Sequence, residues 1–179
     1  MSDMLAPFNF KEWIENNRDK LKPPVCNTEL YEAGDFIIMV VGGPNTRKDY
    51  HDDAGPEFFY QIEGNMTLRI RENGKPKDIP INEGEVFLLP PHVPHSPQRT
   101  ENSVGLVIER KRTEEELDGF QWYCDECHHK IYEEYIPLKN IVTDLPQVFK
   151  RFWDSEENRT CDECRAVLQK PGEAMKKAS

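Results

Sequence analysis

Apolar positions along this chain repeat first with a helical period and then, for most of its length, with the period of two that marks β-strands. Between Asn9 and Leu21, residues Phe10, Trp13, Ile14 and Leu21 fall near one face of a helix. Asn9 is placed to cap that helix, Glu12 completes a capping-box spacing, and the stretch LKPPV stops it. From Asp35 onward, apolar runs bounded by turn residues predict strands: DFIIMVVGG, EFFYQI, MTLRIRE, DIPI, EGEVFLLPP and SVGLVIERKR. In the third of these, Leu68 and Ile70 alternate with Thr67, Arg69 and Arg71. Gly64-Asn65 is expected to close a hairpin between EFFYQI and MTLRIRE, and ENGKP to form a further turn. Many short strands at regular turn spacing predict an all-β sandwich or small barrel.

The character changes after residue 111. RTEEELDGF reads as a charged connector, KIYEEYI as a strand, and the region of DLPQVFKRFW as a helix whose apolar face is Leu145, Val148, Phe149 and Phe152. The chain therefore divides into an N-terminal helical segment (1–30), a barrel core (31–111), a C-terminal extension (112–170) and a loose tail (171–179). No internal repeat or low-complexity tract interrupts this order.

The 179 residues suffice for one core with a small appendage. A net charge of −10 repels phosphate backbones and argues against a nucleic-acid partner. No run approaches the ~18–20 apolar residues that span a bilayer, and MSDMLAPFNFKEW lacks the basic and apolar regions of a secretory signal. The expected location is the cytoplasm, where thiols stay reduced, so the five cysteines are read first as metal ligands or free thiols.

Two groups of residues carry metal chemistry. His51 and Glu57 bracket an acidic Gly-Pro turn, and the strand EGEVFLLPP ends in prolines before presenting His92 and His95. Two imidazoles and one carboxylate at one barrel mouth form a facial triad suited to ferrous iron, which leaves adjacent positions for a substrate and dioxygen. The spacing His51, Glu57, Gly64 and then Gly84, Pro90, His95 resembles the two cupin motifs. Asp49 stands where the first histidine of the usual pair would be, which favours a two-histidine triad. His92 competes with His95 for the third place, and the cupin spacing points to His95. The second group is CDEC, which occurs at Cys124 to Cys127 and again at Cys161 to Cys164 with 33 residues between. Two such knuckles predict a tetrathiolate site for zinc or a single iron, in a structural or iron-storage role rather than a catalytic one. His128 and His129 are alternative ligands there, and Cys26 is left as a free thiol.

The segments APFNFKEWI, LKPPV, VVGGPN, DYHDD, EFFYQ, FLLPPHVPHSPQR, LVIER, DGFQWYCDEC and IVTDLP resemble the 3-hydroxyanthranilate 3,4-dioxygenase family, over about residues 6–165. The likeness is to its short, single-cupin form with an extra cysteine site. The resemblance implies a cupin (jelly-roll) barrel that opens the ring of 3-hydroxyanthranilate with O2 at a non-haem Fe(2+). The product would be 2-amino-3-carboxymuconate semialdehyde, the precursor of quinolinate, in tryptophan catabolism by the kynurenine route or in NAD synthesis. It implies that His51, Glu57 and His95 hold the catalytic iron and that Cys124, Cys127, Cys161 and Cys164 hold a second one. It further implies that Arg47, Arg99 and Glu109 bind substrate and act in catalysis, with Arg47 also meeting O2. Asn27 would belong to a loop closing over the substrate, and the chain would pair as a homodimer.

The residue chemistry runs alongside. The substrate's carboxylate needs a planar guanidinium. Arg47, four residues before His51, is expected to hold it, with Arg99, four after His95, as the second candidate. Glu109 is expected to accept a proton as the substrate becomes anionic. A cupin dioxygenase for another substrate and a non-catalytic cupin that binds a small acid are the alternatives.

Overall fold

The structure, a computed structural model, describes residues 6–23, 26–31, 34–139 and 141–170. It contains α1 (Phe10–Asn16), a 3-10 turn (Arg18–Leu21), β1 (Asn27–Glu29), β2 (Phe36–Gly42), β3 (Asp49–Asp52), β4 (Glu57–Glu63) and β5 (Met66–Glu72). There follow β6 (Lys75–Ile81), β7 (Val86–Leu89), β8 (His95–Arg99), β9 (Val104–Arg110), β10 (Asp118–Tyr123), β11 (Lys130–Ile136), α2 (Ile141–Trp153) and α3 (Glu156–Arg159). The strands form two antiparallel sheets, β1-β2-β9-β4-β7 and β11-β10-β3-β8-β5-β6. This is the expected all-β cupin architecture.

The alternation read from the sequence explains the sandwich. Phe59, Met66, Leu68, Ile70, Ile81, Leu89 and Val107 come from strands of both sheets and bury one apolar core between them. α1 starts where predicted, with the Asn9 side chain accepting the Glu12 N–H at 3.1 Å. Its single helical segment is shorter than the apolar period suggested, because Asn17 leaves the helical region and the chain tightens into the 3-10 turn. Ile14 and Leu21 nevertheless reach Val40 and Val104 on the outer face of the five-stranded sheet. The fit is close, since a Cβ on Gly42 would overlap the Leu21 carbonyl. Pro24 and Val25, and the tail from residue 171, lie outside the described residues.

One turn differs from expectation. Asn73-Gly74 closes a two-residue hairpin between β5 and β6, both residues at positive φ (51° and 76°), as a primed turn requires. Gly64-Asn65 does not close one. β4 and β5 belong to different sheets, so the chain turns a corner there. β4 is irregular against β9 between Gln61 and Glu63, Gly64 adopts φ 64°, and Glu83 holds the corner through Gly64 N and Asn65 Oδ1. A bulged strand bends, and here the bend takes the chain across the sandwich.

Strands β10 and β11, from beyond residue 111, extend the six-stranded sheet, with β10 paired to β3. α2 packs its Val148 and Phe152 onto Phe120 and Trp122 of β10, and the Trp122 and Phe152 rings stack at 4.2 Å. Among the described residues no helix is long and apolar enough to cross a membrane.

Candidate metal and substrate site

Register brings the predicted ligands together. His51 of β3 lies opposite His95 of β8, and Glu57, the first residue of β4, lies opposite Glu109 of β9. The histidines come from one sheet and the carboxylates from the other, at one end of the sandwich. One ligand atom each from His51, Glu57 and His95 falls within 4.8 Å of the others. His95 Nε2 approaches Glu57 Oε2 to 2.7 Å, yet this buried oxygen has no partner in hydrogen-bond geometry. Two ligand atoms in contact without a bond between them fit convergence on a shared cation. Burial disfavours the Glu57 charge, but His95, His51 and Arg112 hold it below the usual carboxylate range. His92 is apart from this set. Its ring is mostly exposed, 3.3 Å from Asp52, and its backbone has φ 58°.

The triad opens into a cavity of about 220 Å³ lined by Arg47, Arg99, Glu109, Asn27, Phe59 and Val107, among others. That is below the about 300–1,000 Å³ of drug-sized pockets and suits a single-ring molecule. The two arginines differ in their partners. Arg47 is ion-paired to Asp49, the residue standing in the place of the usual cupin histidine. Arg99 is 4% exposed and donates Nη1 to Gln61 Oε1 at 3.1 Å; among the described residues it has no ion pair and its Nε has no partner. Burial lowers its pKa to about 10. Gly105 makes the space it occupies, because a Cβ there would overlap Arg99 Nη1. Burial, with the Glu57 charge beside it, pushes Glu109 up to about 7. Asn27 opens β1, pairs with Val41 and is exposed at the cavity mouth beside Cys26.

A buried, positively lined single-ring cavity next to a three-ligand set is the geometry on which comparison with known proteins bears. The sequence profile described as 3-hydroxyanthranilic acid dioxygenase matches residues 1–153. The chain belongs to this family. It is 58% identical over 161 residues to 3-hydroxyanthranilate 3,4-dioxygenase of Xanthomonas euvesicatoria pv. vesicatoria, covering 90% of this chain and 91% of the relative. Identity to the enzyme of that name from Paraburkholderia phytofirmans is 53% over 170 residues, 94% of this chain and 97% of the relative. Among solved structures, a cupin-2 domain containing protein from Shewanella frigidimarina matches with a TM-score of 0.45 at 20% identity, over 58% of this chain and 94% of that one.

Reading the sequence missed the residues that support the dioxygenase site from behind. Arg112, seen as part of a charged connector, is 8% exposed and bonds Asp53 at 2.7 Å, Glu109 at 2.6 Å and Asp118 at 2.8 Å. Asp118 Oδ1 in turn lies 2.7 Å from His51 Nε2, and Phe120 stacks on the His51 ring. A single arginine in a run of charges carries no local signal of burial. The nearest clue was Asp-Gly-Phe at 118–120, heading an apolar strand as Glu57 heads β4.

The four paired cysteines also converge, their sulfurs all within 4.8 Å and two pairs at 3.5 Å. Those separations exceed the about 2.05 Å of a disulfide. They approach the about 3.8 Å edge of a tetrahedron with about 2.3 Å metal–sulfur bonds. The two knuckles share one design. The residue after the second cysteine, His128 or Arg165, sits at φ 64° and its N–H returns to the carbonyl of the first cysteine. Backbone N–H groups of Cys164 and Glu163 outweigh burial at Cys161 and bring its thiol to about 7, nearer the form that binds metal. Neither His128 nor His129 joins this ligand set among the described residues.

Cys124→Ser with Cys161→Ser should therefore lower bound metal by about one equivalent per chain and reduce the thermal midpoint, as loss of a tetrathiolate ion implies. Elemental analysis and thermal unfolding measure both. Unchanged metal content would exclude the four-sulfur site.

Proposed function

We propose that this chain cleaves the aromatic ring of 3-hydroxyanthranilate with dioxygen, at a ferrous ion held by His51, Glu57 and His95, to give 2-amino-3-carboxymuconate semialdehyde. Both oxygen atoms enter the product, so no other oxidant or reductant is needed. The observation that carries this reading is one small cavity shared by the two-histidine, one-carboxylate set and an unpaired buried guanidinium, Arg99. Iron, when bound, supplies the redox link between an electron-rich ring and dioxygen. The names carried by the Xanthomonas and Paraburkholderia relatives support the substrate.

The chain's own residues do the rest. Arg99 receives the substrate carboxylate, because its guanidinium is desolvated and has free N–H donors. Arg47, expected to take that role from its place in the chain, already has Asp49 as counter-ion, which leaves it to orient the open side of the cavity toward O2. Glu109 accepts a proton from the substrate's hydroxyl or amine, and Phe59 and Val107 form part of the apolar wall. Asn27 bounds the mouth. The tetracysteine set takes zinc or a second iron in a structural role, and its need for reduced thiols fits the cytoplasm.

A homodimer completes the proposal. The outer face of the five-stranded sheet carries the row Ile38, Ile108, Phe58, Leu88 across four strands, flanked by Tyr60 and Val86. Leu88 is 62% and Val86 61% exposed. Contiguous exposed apolar surface of this kind marks an interface.

Three measurements test these assignments. Arg99→Ala should weaken 3-hydroxyanthranilate binding by roughly 2–5 kcal/mol while barely affecting 2-aminophenol, which lacks the carboxylate. Equal losses for both ligands would remove Arg99 from that role. Because Glu109 must be ionised to accept a proton, kcat/KM should rise with pH through about 7 and then level. Glu109→Gln should lower kcat by about 10²–10⁴ and abolish this limb, and a limb that persists in the variant would assign it to another group. Leu88→Lys should convert the dimer to monomer in light scattering without unfolding it, and an unchanged mass would exclude this face.

A further inference from the structure

His51 belongs to two overlapping ligand sets. One is His51, Glu57 and His95, and the other is His51, Asp53 and Asp118, each with its ligand atoms within 4.8 Å. By donor type the second set is as competent for a divalent ion as the first, since one imidazole and two carboxylates suit the same hard and borderline cations. Asp118 already holds His51 Nε2 at 2.7 Å. Something must decide which side of His51 takes the metal.

The difference lies in Arg112. Its Nη2 is 2.7 Å from Asp53 Oδ2 and 2.8 Å from Asp118 Oδ1, and its Nε lies 3.1 Å and 3.2 Å from the two Asp118 oxygens. Its Nη1 donates to Glu109 at 2.6 Å. Both carboxylates of the side set are thus bonded to a fixed, permanently charged group. Among the described residues no such fixed cation bonds Glu57 Oε2, which has only the His95 ring beside it, at 2.7 Å and outside hydrogen-bond geometry.

We propose that Arg112 is a positioning residue that acts as the built-in cation of the Asp53 and Asp118 side, so that His51 is left to the Glu57 and His95 side for metal binding. A divalent ion entering the side set must displace or stand beside the guanidinium, whereas one entering the triad meets an unpartnered carboxylate oxygen. The same guanidinium holds Glu109 in the cavity, so one side chain ties the metal side to the proton acceptor. The placement also accounts for Asp118 being fully buried, because its charge is shared between Arg112 and the His51 ring.

The inference rests on the triad being the metal site, and the experiment separates the two. Mn(II) is the probe, because it favours oxygen and nitrogen ligands over thiolates and so reports on these sets rather than on the cysteines. Its affinity is measured on the full-length chain by the EPR signal of free Mn(II), after exchange against a chelator. In otherwise wild-type protein, Glu57→Gln should weaken Mn(II) at least tenfold and Asp53→Asn less than twofold. In an Arg112→Met background the pattern should invert, with Asp53→Asn costing at least tenfold and the bound-ion spectrum changed. Arg112→Lys retains the charge and should keep the wild-type pattern. It also serves where the methionine variant fails to fold, because a shift to Asp53 dependence in Arg112→Lys would overturn selection by charge. An unchanged pattern in Arg112→Met would overturn the proposal while leaving the triad intact. Indifference of wild-type protein to Glu57→Gln would instead defeat the triad reading, and this inference with it.

Discussion

Glu57 and Glu109 face each other across β4 and β9 in the buried mouth of the sandwich, and most of the site follows from that pairing. Two carboxylates on neighbouring buried positions repel, and neither has solvent to screen it. The protein answers with cations of different kinds. Glu57 is held ionised by two imidazoles at close range, and Arg112 donates to Glu109. Arg99 stands nearby with no carboxylate bound to it. The charge balance is therefore nearly complete before any ligand arrives, with one guanidinium left for an anion and one carboxylate oxygen left for a metal. An aromatic acid and a divalent cation together make up what the cavity lacks.

The C-terminal segment is more than an appendage to this arrangement. β10 supplies Asp118 and Phe120 behind His51 at one end and runs into Cys124 at the other. Between them Trp122 stacks on Phe152 of α2. Phe120 and Trp122 of β10, Val148 and Phe152 of α2, and Leu168 beyond the second knuckle thus form one apolar cluster beside the His51 ring. A metal bound by all four cysteines would tie residues 124–127 to 161–164 and so restrict the chain next to β10, whose Asp118 contacts His51. The two candidate ligand sets are thus connected through one strand, β10.

Much of this was legible in the sequence because it depends on short-range periodicity. Strands β2, β4, β5, β6, β7 and β9 follow apolar runs bounded by turn residues, the Asn9 cap follows side-chain type, and the cysteine knuckles follow spacing. What escaped depends on long-range pairing. β3 and β8 are short and carry the site's polar residues in place of an apolar alternation, so periodicity does not mark them as strands. Gly64-Asn65 has hairpin chemistry, yet its consequence is set by which sheet each flanking strand joins. Arg112 is buried only because Asp53, Glu109 and Asp118 come from three different places to meet it. Arg47 and Arg99, equally distant from their histidines along the chain, part ways because Asp49 lies two residues from one of them and Gly105 opens a buried slot for the other.

The substitution of Asp49 for the usual cupin histidine links these points. A third imidazole at that place would add a neutral metal ligand and leave Arg47 without its counter-ion. With an aspartate there, the carboxylate pairs with Arg47. The cost of a partly desolvated charge falls when it is paired, so Asp49 makes the half-buried Arg47 tolerable without a ligand. Arg99 differs in having no such counter-ion among the described residues, and burial lowers its pKa to about 10. One residue at the edge of β3 thus gives Arg47 a counter-ion that Arg99 lacks among the described residues.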